Sequence, residues 1–91
     1  MDPYAQIAEA IIQKQVLVLQ DMALARARSV QGLELDAAGH VKAVTGGKDV
    51  IEALIKQYQE LLGPAGISFA RDAAHPIILK NPSLPLPQAL L

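Results

Sequence analysis

The stretch LLGPAG, residues 61–66, most constrains what this chain can become. It follows Val50, Ile51, Leu54, Ile55, Tyr58, Leu61 and Leu62, which recur at helical spacing. Gly63 is placed to take a positive φ and end that helix, and Pro64 cannot continue it. The fixed φ of proline suits the first turn of a new helix. The sequence therefore predicts two helices meeting at a tight corner. Beyond the corner, Gly66, Ala70 and Ala74 are spaced by four, as are Ala65, Phe69 and Ala73. Small residues on a helix face permit close backbone approach. The second helix is expected to pack tightly across the first helix of the chain. It is expected to stop at His75, because Pro76 follows.

Upstream, Asp2 and Pro3 read as an N-cap followed by proline at the first helical position. Nothing breaks a helix from there to about Ser29. Tyr4, Ile7, Ala8, Ile11, Ile12, Val18, Leu19, Met22 and Ala23 fall on one broad face. A helix of about 27 residues would be roughly 40 Å long at 1.5 Å per residue. Residues 29–47 change character. Leu33 and Leu35 alternate with polar residues, Val41 and Ala43 flank Lys42, and DAAG between them fits a type I turn closed by Gly39. The pattern predicts a β-hairpin over 32–36 and 40–45. Gly46 and Gly47 then release the chain, and Asp49 with Glu52 forms a capping-box-like pair for the helix that follows.

The C-terminal segment carries Pro82, Pro85 and Pro87 among leucines. It reads as an extended Pro-rich tail, residues 81–91, with polyproline II character and with Ile77–Leu79 adding a short strand to the hairpin. The tail is expected to order only against a partner. The fold class is α+β: long N-terminal helix, β-hairpin, amphipathic helix, Gly-Pro corner, short helix, extended tail. Residues 1–80 form a single helix-hairpin-helix domain.

Composition narrows function by exclusion. The 91 residues hold no Cys, so no thiolate chemistry or disulfide is available. Net charge is −1, from 8 basic and 9 acidic residues, which gives no field for nucleic acid or anionic lipid. Aromatics make up 3% of the chain, leaving few platforms for stacking bases. No apolar run reaches the ~20 residues of a membrane span, and the N-terminus has no basic, cleavable leader. The expected location is the cytoplasm, with neither nucleic-acid nor membrane partners.

TGGKD at 45–49 invites a phosphate-loop reading and fails it: position 42 is Lys where Gly is needed, and Asp49 stands where Ser or Thr is needed. His40 and His75 lack the second histidine or carboxylate cluster of a metal site, so neither metal nor cofactor is expected. Two features point to association. Gln15 lies within the apolar face of the first helix, where its amide could be satisfied across a twofold axis. Leu17 and Leu24, seven apart, form a second apolar seam on the polar side. With Arg71 and the tail residues Pro82, Leu84, Pro85 and Leu86, they are the candidate interface.

One stretch, EALIKQYQELLGPAGISFARDAA at 52–74, resembles a small helical domain appended to bacterial signalling proteins, including some serine/threonine kinases and roadblock-type regulators. Tyr58, Gly63, Pro64, Ala70, Arg71 and Ala74 carry the resemblance, which spans about a quarter of the chain and brings no catalytic signature. It implies a protein–protein role in signalling or assembly. The expected function is a non-catalytic interaction or regulatory adaptor acting as a homo-oligomer with a further protein partner. Two alternatives stand beside it. One is a small-ligand sensor with an apolar inter-helix pocket where Gly66 and Ala70 leave space. The other is an enzyme whose site forms only in the oligomer, from Asp36, His40 or Asp72 with His75.

Overall fold

The computed structural model describes residues 2–91. Four helices, a two-stranded hairpin and a C-terminal 3-10 turn follow one another as α1 (Pro3–Leu19), α2 (Asp21–Arg28), β1 (Leu33–Leu35), β2 (Val41–Val44), α3 (Lys48–Leu62), α4 (Pro64–Lys80) and the turn Gln88–Leu90. The α+β class and the hairpin are as the sequence predicts. Helix α1 begins as expected: Pro3 opens it, and the Asp2 carboxylate accepts the Tyr4 N–H at 3.4 Å. Its buried face is Ala5, Ile7, Ala8, Ile11, Ile12 and Gln15.

The single long helix does not form. The chain bends at Gln20, with φ 53° and ψ −130°, and α2 leaves in a new direction. A straight helix of roughly 40 Å would overshoot a molecule whose longest dimension is 33 Å. Bending brings Ala23 and Ala27 into the core instead. A non-glycine residue in so sparsely populated a region costs about 1–3 kcal/mol. That strain is offset by what α2 reaches. The Tyr58 hydroxyl, fully buried on α3, donates to the Ala23 carbonyl at 2.8 Å. Burial pushes the Tyr58 phenol well above its ordinary pKa. Arg26 at the end of α2 donates to Gln57 and Glu60 of α3, both at 3.1 Å.

β1 and β2 pair antiparallel, with Leu33 opposite Val44, Glu34 opposite Ala43 and Leu35 opposite Val41. A register irregularity lies between Glu34 and Leu35. Leu33 and Val41 turn toward the core. The turn is the one its residues specify: the Gly39 N–H donates to the Asp36 carbonyl at 3.1 Å, and Gly39 sits at φ 91°.

Helix α3 buries Val50, Ile51, Leu54, Ile55 and Tyr58, the stripe read from its spacing. The capping box does not form. The helix starts at Lys48 with Gly47 as its N-cap, so Asp49 falls inside the first turn, where its charge favours the helix dipole. At the corner Gly63 has the positive φ expected, 61°, but its ψ of −140° lies outside the left-handed helical well. One residue thus ends α3 and opens α4. Its N–H donates to the Gln59 carbonyl at 2.7 Å, and its carbonyl accepts the Gly66 N–H at 3.0 Å.

Helix α4 does not stop at His75. It runs through Pro76 to Lys80, so Ile77–Leu79 are helical and add no strand. Proline removes one helix hydrogen bond and crowds the carbonyl four residues back, at ~3 kcal/mol in a helix interior. Here Asp72 and Pro76 both lie on the exposed side, where water can meet that carbonyl. Ile77 and Ile78 pack against the core beyond the proline and offset the cost, and the Asn81 side chain donates to the Ile77 carbonyl at 2.8 Å. Gly66, Ala70 and Ala74 form the buried stripe of α4, which packs chiefly on α1 and α3.

The α3–α4 approach is set by Gly66. A Cβ there would lie 2.7 Å from the carbonyl carbon and oxygen of Tyr58. Those atoms are backbone and cannot swing aside. Gly66→Ala should therefore destabilise by about 1–3 kcal/mol despite alanine's higher helix propensity, read as a lower thermal midpoint. An unchanged or raised midpoint would mean that the two helices are not in close contact there.

Candidate functional site

The tail lies on its own chain. The Tyr4 hydroxyl donates to the Pro85 carbonyl at 2.7 Å, and the Arg71 Nε donates to the Ala89 carbonyl at 2.7 Å. Leu84 and Leu86 are half-buried against the core, and Pro87 and Leu90 are buried. Pro82 and Pro85 remain exposed. The tail thus packs on residues of its own chain. Its apolar residues already have a surface to cover, the groove between Tyr4 on α1 and Arg71 on α4.

Gln15 is fully buried within the chain, and its Nε2 donates to the Gly66 carbonyl at 3.1 Å. Its amide is engaged by α4 and does not reach across a twofold axis. The Leu17/Leu24 seam does not exist either, because the bend at Gln20 separates the two residues' helices. Leu24 is half-buried over the hairpin turn, where a Cβ on Gly39 would meet its Cδ2 at 2.7 Å. Leu17 is 80% exposed. Beside it stand Val18, 47% exposed, and Met22, 49% exposed. These three large apolar side chains flank the bend. Sequence reasoning placed Val18 and Met22 on the buried face, because it carried one helical phase through residue 20. Neither glycine nor proline marks the change of direction.

Polar chemistry gathers at the hairpin turn. The Asp36 Oδ1 accepts the N–H groups of Ala38 and His40, both at 2.9 Å. Those bonds, His40's foremost, hold the Asp36 carboxyl below its ordinary pKa against an opposing effect of desolvation. Glu9 on α1 accepts the Val41 N–H at 2.8 Å and lies 3.6 Å from the His40 Nδ1. Among the described residues no three of His, Asp and Glu converge as metal ligands. Asp72 and His75 are exposed on α4, away from the hairpin turn in the chain's order and carried by a different element.

Two clefts open on the surface. One of about 580 Å³ lies between the open end of the hairpin and the start of α3, and its charged lining is Glu34 and Asp49. A second, of about 240 Å³, lies between α1, α2 and the hairpin turn, lined by Ile12, Val16, Leu24 and His40 among others. Neither is the inter-helix pocket expected at Gly66 and Ala70. Both residues are buried, and the Tyr58 backbone occupies the space that the missing Cβ of Gly66 leaves.

Two outcomes are expected from this geometry. Asp36→Ala should lower the melting temperature at neutral pH. A folded-state pKa below the unfolded one stabilises above the unfolded value, so wild type should lose its advantage as pH falls through the carboxylate range. A difference that stays constant with pH would show that the turn does not depend on the carboxylate charge. Removing residues 82–91 uncovers the groove covered by half-buried Leu84 and Leu86 and by buried Leu90, the last at about 1.5–3 kcal/mol. The truncated chain should melt well below wild type, whereas an unchanged midpoint would mean that the tail adds nothing to the core.

No known family, no characterised protein and no solved structure compared with the chain matches it.

Proposed function

We propose that this chain is a non-catalytic interaction module that self-associates and presents a docking surface to a protein partner. The observation that carries the reading is the group of Leu17, Val18 and Met22, all exposed on one bend of a chain whose other large apolar residues are mostly covered. Grouped exposed apolar side chains of this kind are a feature of docking surfaces. The resemblance of residues 52–74 is what ties the reading to bacterial signalling or assembly in the cytoplasm. The near-neutral charge is in keeping with a protein partner rather than nucleic acid. No helix of the described residues is long and apolar enough to cross a membrane.

A sensor of small ligands is the second reading, and the cleft beside Ile12, Val16 and Leu24 supports it. Native mass spectrometry separates the two, because it reports both oligomer mass and retained ligand. Leu17→Glu combined with Met22→Glu should reduce the mass in solution to that of a single chain and leave the melting temperature nearly unchanged, since neither side chain is in the core. A wild-type chain that is already a monomer at high micromolar concentration would overturn the self-association.

A further inference from the structure

We propose that Gln20 is a hinge at which α1 and α2 fuse into one helix, so that two copies of the chain exchange their first helices. The proposal rests on the reading that the chain self-associates, and it specifies how. Three observations carry it. Gln20 is the only non-glycine residue with positive φ among those described, and its side chain makes no cap bond at the start of α2. The sequence on both sides of it has no helix breaker from Tyr4 to Arg28, and its residues are those of a continuous helix. The large apolar residues left exposed around it, Leu17, Val18 and Met22, stand on the two helix ends that the bend joins.

Straightening at residue 20 releases the strained backbone and restores the helix hydrogen bonds that a break leaves unmade at both ends. The fused helix over residues 3–28 is roughly 40 Å long, against a longest dimension of 33 Å for the subunit. Its two halves therefore serve different copies. Each α1 then occupies the same groove on the partner that it occupies here on its own chain. The contacts of Tyr4 with Pro85, Glu9 with Val41 and Gln15 with Gly66 all re-form between copies. Nothing in the core is sacrificed, which is why exchange of an identical element is a low-cost route to a dimer. The surface newly made lies at the hinge, where the fused helices run past each other. Leu17, Val18 and Met22 are positioned to be covered there by the second copy.

The test exploits the absence of cysteine. Glu9 and His40 touch across the α1–hairpin contact, with 3.6 Å between carboxylate and imidazole. The variant Glu9→Cys with His40→Cys is unfolded, refolded at high micromolar concentration and treated with a short bis-maleimide. Native mass spectrometry and a denaturing gel are then read together. Exchange predicts a dimer by mass whose cross-link joins two chains, so the band persists at twice the chain mass. Adding Gln20→Gly removes the strain of the bend and weakens the fused helix, so the cross-link becomes intrachain and the dimer dissociation constant rises by about tenfold or more. A dimer with intrachain links overturns the hinge while leaving self-association standing. A single-chain mass throughout overturns both. A dimer fraction indifferent to Gln20→Gly also overturns the hinge.

Discussion

Tyr58 joins three helices at one point. Its hydroxyl meets the Ala23 carbonyl of α2, and its own carbonyl is the atom against which Gly66 of α4 closes. The phenol is the chain's only fully buried aromatic ring, in a core otherwise made of Ala, Ile, Leu and Val. A buried hydroxyl without a partner is costly, so α2 must come near enough to supply one. That requirement holds α2 close over α3. On the opposite side, the absence of a Cβ at residue 66 lets α4 lie close enough to receive the Gln15 amide from α1. The four-helix arrangement is thus set by one phenol and one missing methyl group.

Much of this was legible before any coordinates. The apolar stripe of α3 is read directly from Val50 to Tyr58, because one buried face leaves a 3.6-residue period. The hairpin is legible because Asp36 and Gly39 have local reasons to form that turn: a short acceptor side chain and a tolerated positive φ. Gly63 followed by Pro64 marks a corner through the same local chemistry. What was not legible is decided by distant contacts. Gln20 carries no turn signal, and the bend there accompanies contacts of α2 with α3 that no local pattern encodes. Pro76 reads as a stop, yet its deficit is met by solvent on one side and by Ile77 and Ile78 on the other. The tail looks partnerless because Tyr4 and Arg71, its anchors, are far from it in sequence.

The same distinction separates the candidate site residues. Leu17 is legible because it departs from the apolar face of its own helix. Val18 and Met22 were hidden, since their exposure depends on losing helical phase at one residue. Gln15 stands out in the sequence as a polar residue on an apolar face, but its acceptor is the Gly66 carbonyl of α4 in the same chain. Its Oε1 is left without a partner. Burying an amide with half its capacity unmet favours orientation over stability. Only one placement of α1 along α4 lets Nε2 reach the Gly66 carbonyl.

The attachment of the tail has a consequence for how the molecule comes apart. Pro82, Pro85 and Pro87 contribute no N–H groups, so residues 82–87 cannot be stitched down by a backbone ladder. The long-range bonds that hold the segment come instead from two side chains, Tyr4 and Arg71, each reaching a single carbonyl. Such a segment opens as a unit while the helices stay packed, at the expense of its buried Pro87 and Leu90. Because Tyr4 lies in the first turn of α1, that opening also uncovers its hydroxyl, while its ring stays packed beside Gly47. Residues 4 and 85, far apart in the sequence, are therefore coupled in one local fluctuation.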